Sequence, residues 1–412
     1  MLRRFTLPVL AAAMTLTVCA TPRNFNAAPG FQNNPALNAQ FNRQSTTNHE
    51  IVNIRWNSLQ EYQTLATSGL DILNTHPESR QMEARVSTQE LQQLQQEGVQ
   101  VERAAFQSQS AETRAPFPNG YMTYAQMTQR IKALAQKYPQ LVRLEDVGDT
   151  VSKQQGRADH DIWAVHVGAN RNSQTQYLMI GGIHARELAP VEILMKLMDL
   201  LTAGYGKDPR ITQILDNSTV VFMPMVNVDG RVMVEEGEAW QRKNAAGVDL
   251  NRNFDNHWNF QGLNVPSSWL RGVTDPGSQI YSGPRPASEP ETQVVQAMFH
   301  RLKPALAVDM HAHGDMMLWP LGYSYEDNPH TPVFQELYNR TFKNIGFKGG
   351  TSAQILYPTT ATTRDYAYEQ HKAISMTLEI GDDFRPSYGE VEQMWGRMQP
   401  HLLTLLETPG IR

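Results

Sequence analysis

An α/β domain with a mixed, largely parallel central sheet and helices on both faces, preceded by a small βαββαβ unit, is what this sequence predicts. Three observations carry that expectation. From Tyr121 onward, apolar runs without alternation take turns with longer helical patterns, which marks strands buried on both faces. Residues 49–105 instead hold four short strand-like runs interleaved with two helical segments. Several of the later apolar runs end abruptly in a polar residue, as strands do where a site gathers at their carboxyl ends.

Taken in order, the chain opens with Arg3 and Arg4 followed by the apolar "FTLPVLAAAMTLTV". That is the pattern of an export signal at residues 1–20, cleaved after Ala20. A second reading, lipid attachment at Cys19 and anchoring to a membrane, stays open beside it. Cys19 is the only cysteine, so the mature protein is expected to hold no disulfide. Residues 21–48 are rich in Asn, Gln, Ala and Pro without periodicity and are expected to form a disordered linker.

Within 49–105, "IVNIRW", "DILNTH", "EARVS" and "VQVERA" read as strands. Ser58 with Glu61 and Ser87 with Glu90 fit capping boxes that start the two helices. The order is that of a split-βαβ sandwich. A polar hinge follows at 106–116, "SQSAETRAP", with Arg103 nearby and Arg114 within it. The main domain spans 117–412. Thr123 and Gln126 cap a helix that carries Met127, Ile131 and Leu134 on one side. Strands are expected at "IWAVHVG", "YLMIGGI", "TVVFMPMVN", "ALAVDM" and "AISMTLEI", with helices at "VEILMKLMDLL" and "ETQVVQAMFHRL".

A chain of 412 residues with 40% hydrophobic and 19% charged residues has an ordinary globular balance. The net charge of −5 gives no footprint for nucleic acid. No apolar stretch beyond the N-terminus is long enough to span a membrane.

The chemistry is concentrated at the strand ends. In "YLMIGGIHARELAP", two residues separate His184 from Glu187, so one short turn aims both at a single ion. "PALAVDMHAH" ends a second apolar run in His311. Two histidines and a carboxylate leave the fourth position of a tetrahedral zinc open, which suits a catalytic rather than a structural ion. Alone, H-x-x-E is a weak signal, met in many chains as a surface pair. Its company changes the weight: Arg242 in "AWQRKN", Asn251 and Arg252 in "GVDLNRNF", Tyr357 in "LYPTTATTRDYAYEQ", and Glu379 in "AISMTLEIGDD".

With these motifs in this order, the chain from about Phe117 to Arg412 resembles the zinc carboxypeptidases of the pancreatic A/B type and their bacterial secreted relatives. The resemblance implies one Zn2+ in the catalytic domain, held by His184, Glu187 and His311. It implies hydrolysis of the C-terminal peptide bond of peptides or proteins by a metal-activated water. Glu379 matches the family's proton acceptor and Arg242 its oxyanion-stabilising arginine. Arg252, with Asn251 beside it and Tyr357 as mobile cap, matches the clamp for the terminal carboxylate, and Arg186 a groove residue. The interval from Tyr357 to Glu379 fits without a gap and places Arg364 at the base of the side-chain pocket. A cation there is expected to favour acidic C-terminal residues, unless the neighbouring Asp365 pairs with it or takes its place. Residues 49–105 resemble the family's activation domain, an intramolecular inhibitor; a permanent adaptor stays open as the alternative. Two other functions also remain: a peptidoglycan stem-peptide carboxypeptidase of the same fold, and a zinc-binding pseudoenzyme that binds peptides.

Overall fold

The computed structural model describes residues 49–76, 78–103, 115–170 and 173–408. The expected export signal with Cys19, the linker at 21–48 and most of the hinge, Arg114 included, lie outside the described residues. The described residues form one compact unit.

The N-terminal part of that unit is a four-stranded antiparallel sheet. Its strands are β1 (His49–Arg55), β2 (Asp71–His76), β3 (Gln81–Ser87) and β4 (Gln100–Arg103), in the order β2-β3-β1-β4. Alternation builds it: Val52 and Ile54 of β1 and Met82, Ala84 and Val86 of β3 are fully buried on one face. The helix Leu59–Ala66 covers that face with Tyr62 and Leu65, and the helix Thr88–Gln96 with Leu94. Ser87 and Glu90 close a complete capping box. The box expected at Ser58 is displaced. Ser58 Oγ accepts from Glu61 N, but the Glu61 carboxylate reaches back to Asn57 N, one residue earlier, at 2.8 Å.

The large sheet has eight strands. They are β5 (Val142–Asp149), β6 (Asp161–Val167), β7 (Gln176–Gly181), β8 (Thr219–Met223), β9 (Leu306–His311), β10 (Met316–Trp319), β11 (Lys348–Thr351) and β12 (Ile374–Glu379). Their order is β11-β10-β12-β9-β7-β8-β6-β5. The central run β12-β9-β7-β8 is parallel, and antiparallel pairs flank it on both sides. Thr123 and Gln126 cap the helix Tyr124–Lys137, which buries Met127, Ile131 and Leu134.

The pleat sorts the central strands onto two faces. Leu306, Val308 and Met310 of β9 and Ile374, Met376 and Leu378 of β12 point to one side. There they meet helices Ala189–Gly204 and Tyr388–Leu406 in the larger core cluster. The intervening residues face the other way: Asp309 and His311 on β9, Thr377 and Glu379 on β12. Toward the amino ends this second face is apolar, covered by Val295, Met298 and Phe299 of the helix Pro290–Leu302. Toward the carboxyl ends it is polar. A slip of one residue would exchange the two sets, so the hydrophobic pattern of the first face fixes the position of the polar one.

Candidate active site

Three neighbouring parallel strands deliver the central residues. His311 ends β9 and Glu379 ends β12, and the two are direct partners in the ladder. His184 lies three residues beyond the end of β7, in the turn that leads into the helix Ala189–Gly204, with Glu187 just before the helix begins. The turn is pinned from outside: Ala185 N donates to Arg242 O at 3.1 Å, and Leu188 N to Phe384 O at 3.0 Å. Asn227 Nδ2 donates to both Ile183 O and Arg242 O, tying this turn to the loop that carries Arg242.

His184 Nδ1 is 2.7 Å from Glu187 Oε1 and 3.0 Å from His311 Nδ1, and His311 Nδ1 is 2.9 Å from Glu187 Oε2. All three side chains are buried, and their ligand atoms converge on one point. Zinc sits roughly 2.0–2.2 Å from nitrogen and carboxylate ligands, so a set of donors this close brackets one ion. The electrostatics agree. Burial alone would depress the charge of His311, yet Asp309 and Glu187 outweigh it and draw the imidazole toward a positive state. Burial likewise opposes ionisation of Glu187, and His184 and His311 outweigh it, holding its carboxyl well below the usual range. A place that favours positive charge among two imidazoles and a carboxylate fits a metal dication.

Behind each imidazole stands a carboxylate. His184 Nε2 is 3.0 Å from Asp249 Oδ1, and His311 Nε2 is 2.9 Å from Asp309 Oδ2. Such partners fix the tautomer and ring orientation of metal-binding histidines. Sequence reasoning passed over both. A signal existed: Asp309 is two residues before His311 on a strand and so shares its face.

Asp249 also accepts from Arg242 Nη2 at 2.8 Å and from Asn251 N at 2.9 Å. Burial would raise its pKa; Arg242 and His184 overcome that and keep it ionised. Arg242 is thereby aimed past the ligand set, its Nη1 3.8 Å from Glu187. The adjoining Lys243 is no solvated surface residue. Its buried Nζ donates to Pro276 O and Ser278 O, and burial lowers its pKa to about 8.

Arg252 is buried beside Asn251. Its Nη1 donates to Asn251 O, and its Nη2 lies 3.4 Å from the Tyr357 hydroxyl. The Asn251 side chain is already engaged: Oδ1 accepts from Thr363 N and Thr363 Oγ1, and Nδ2 faces His311 Nε2. Glu379, at the end of β12, is pushed up to about 7 chiefly by burial, against the pull of His311 and Arg242.

Arg364 lies in the first turn of the helix Thr363–His371 and is 3% exposed. It is not an unpaired cation. Its Nε is 3.2 Å and its Nη2 3.4 Å from the Asp365 carboxylate, which also accepts from Gly322 N. Nη1 and Nη2 reach the hydroxyls of Thr377 and Thr359. The pair that sequence reasoning left open is therefore present.

The family profile described as "Zinc carboxypeptidase" matches residues 127–399. The chain belongs to that family. Zinc is the metal the family uses, and His184, Glu187 and His311 are the residues here that would hold it. A zinc carboxypeptidase of Saccharothrix mutabilis subsp. capreolus is 27% identical over 64% of this chain and 63% of its own length. Human carboxypeptidase B is 25% identical over 65% and 64%. The chain thus spans somewhat less than two thirds of these relatives. In fold, it is similar to the carboxypeptidase A of Helicoverpa armigera, with a TM-score of 0.72 at 20% identity over 87% of this chain and 97% of that one.

The small sheet lies against this family site. Asp71, first residue of β2, places Oδ1 2.6 Å from Arg186 Nη1, and Arg85 of β3 faces its other oxygen at 3.8 Å. The Arg186 guanidinium lies 4.2 Å over the Phe384 ring and is 2% exposed. His313, two residues past His311, contacts Leu73 O. Tyr357, partly buried, packs against the core of the small sheet. Gly69 and Gly272 permit the close approach. A Cβ on Gly69 (φ +98°) would meet Ser278 Oγ at 2.3 Å, and one on Gly272 would meet Thr67 O at 2.5 Å. Gly272 N donates to Thr67 O across the seam.

Proposed function

We propose that this chain is a zinc-dependent carboxypeptidase that removes C-terminal residues from peptides or proteins. The observation that carries it is the ladder pairing of Glu379 with His311: a carboxylate outside the ligand set, on the same sheet face, one strand from a metal-binding imidazole. Zinc held here by His184, Glu187 and His311 would supply a Lewis acid that acidifies a water and polarises the scissile carbonyl. Glu379 takes the proton of that water and passes it to the leaving nitrogen. Arg242, held rigid by Asp249, donates to the oxygen on which negative charge develops. Arg252 offers its planar fork to the substrate's terminal carboxylate, with the Tyr357 hydroxyl and Asn251 beside it. An endopeptidase has no use for such a clamp.

The small sheet is read as an inhibitory pro-domain. Asp71 occupies Arg186, Leu73 reaches the His311 strand end, and Tyr357 is engaged by the small core, so a substrate and the sheet compete for one groove. Cleavage after the sheet, near Arg103 or Arg114, would release it. The preference proposed for the terminal residue is acidic. The Arg364–Asp365 pair lowers the net charge of the pocket, so the preference comes from donors left on Nη1 and Nη2 and from the threonine hydroxyls rather than from a bare cation. Export, with the mature chain secreted or held by lipid at Cys19, belongs to the same reading; among the described residues no helix is long and apolar enough to cross a membrane.

A peptide library with varied C-termini tests the activity. Mass spectrometry of ladders made by protein cut near Arg103 should show stepwise C-terminal loss, abolished by a chelator and restored by zinc. Internal cleavage, or loss unaffected by chelation, would sink the reading.

A further inference from the structure

We infer that Asp309 is the positioning residue for the metal ligand His311, and that its hold on that ring releases the amide of Asn251 for the substrate's carboxylate. It presupposes the zinc-peptidase function. Three local facts lead to it. The Nε2 atom of His311 has two neighbours of opposite kind: the Asp309 Oδ2 acceptor at 2.9 Å and the Asn251 Nδ2 donor at 3.1 Å. One ring nitrogen either donates or accepts and cannot serve both. The Asn251 amide cannot be turned over to resolve the conflict, because its oxygen accepts from Thr363 N at 2.9 Å and Thr363 Oγ1 at 3.0 Å.

The ligand geometry decides between the neighbours. Nδ1 of His311 is the atom that faces Glu187 and His184, so its lone pair belongs to the metal. The ring proton then sits on Nε2 and donates to Asp309. The Asn251 N–H faces another N–H and must find a different acceptor. Arg252, whose Nη1 donates to Asn251's own carbonyl, marks where that acceptor arrives, as the carboxylate the clamp receives. Metal loading and grip on the terminal carboxylate are thus linked through one imidazole.

Asp309 has no comparable structural employment. It is 2% exposed, and its Oδ1 is buried without a hydrogen-bond partner. Asp249, the counterpart behind His184, differs in also binding Arg242 and Asn251 N.

The test uses the full chain and its Asp309→Asn and Asp309→Ala variants, titrated with zinc against a chromogenic chelator. Asp309→Ala should bind zinc 10- to 100-fold more weakly, and the isosteric Asp309→Asn by an intermediate factor. In NMR spectra of the zinc-loaded protein, the His311 Nε2–H resonance should be present and slow to exchange. It should move in Asp309→Asn and exchange away in Asp309→Ala. A purely structural Asp309 would change thermal stability but neither reading. Unchanged zinc affinity in a folded Asp309→Asn or Asp309→Ala overturns the role while leaving the peptidase intact. Failure of the unmodified protein to bind zinc would instead remove the function on which the role depends.

Discussion

At the scale of single residues, the site separates groups that move protons from groups that hold shape. Among the described residues, Glu379 stands beside the ligands as a carboxylate that is not a ligand, is not paired with an arginine and, unlike Asp309, is not hydrogen-bonded to a ligand imidazole. Glu379→Gln should keep zinc and fold while kcat falls by at least about 10²–10⁴, whereas His184→Ala should lose metal and activity together. Because the group must be ionised to accept a proton and burial pushes it up to about 7, kcat/KM should fall as pH drops through and below that value. Bound zinc, a nearby dication, draws the limb lower. A profile flat from pH 5 to 8 would count against Glu379 as the base. For the pocket, Arg364→Met should reduce the ratio of kcat/KM for C-terminal glutamate over phenylalanine by roughly tenfold, about 1.4 kcal/mol. The ratio is the proper readout, since removing Arg364 leaves the buried Asp365 without its cation and lowers the folded fraction. Equal ratios in the two proteins would show that neither charge touches the substrate. Legibility at this scale divides by kind. His184, Glu187 and His311 announce themselves by spacing and by following apolar runs, and the structure brings them together. Asp249 does not, because an aspartate ahead of "LNRN" resembles any loop aspartate until the fold sets it behind an imidazole.

At the scale of elements, the helices and central strands were readable because their burial is uniform. Met127, Ile131 and Leu134 line one helix face as their spacing demands, and β7, β8, β9 and β12 are buried almost throughout. The outer strands were not readable. β5 carries mixed exposure and a register shift near Asp146, while β11 is the four-residue "KGGT". Short edge strands with glycine have no periodic signal, and only pairing with a finished neighbour makes them strands. One element also carries a hidden cost. Glu291, in the first turn of the helix Pro290–Leu302, is fully buried, and burial raises its pKa to about 7. Asn244 Nδ2 serves both it and Glu289. A carboxyl raised in the folded state binds its proton more tightly there than in the unfolded chain. Its favourable contribution is full below about pH 4.5 and is lost as pH rises through about 7. Glu291→Gln, which does not titrate, should therefore gain on the unmodified protein by about 3 kcal/mol between pH 4 and pH 8. Urea melts at both pH values measure it. A difference independent of pH would mean that the carboxyl is not strained by burial.

At the scale of the whole molecule, the proposed inhibition ties activity to how tightly the small sheet is seated. Its order β1-α-β2-β3-α-β4 was legible from strand and cap signals, but its seat was not. Nothing in "DILNTH" says that Asp71 meets Arg186 more than a hundred residues away. Asp71→Ala strips the partner from a buried guanidinium, a change that typically costs 3–5 kcal/mol. In the uncut chain it should raise kcat/KM on a protein substrate. After cleavage near Arg103 and removal of the sheet, the variant and the unmodified protein should be equal. Equal rates before cleavage would mean that the sheet does not restrain the enzyme through this contact.

The rung shared by His311 and Glu379 has a consequence for how the molecule fails. His311 and the proposed base Glu379 are locked into the middle of an eight-stranded ladder, among the last parts of a protein to open. The parts proposed to grip a substrate, Arg252 in a short turn and Tyr357 in an irregular segment, lie outside the strands of that ladder. On warming, these parts should loosen first. Affinity should decay while hydrolytic competence persists, so KM climbs over a range of temperature in which kcat still rises and the zinc stays in place. The enzyme would let go of its substrates before it forgot how to cut them.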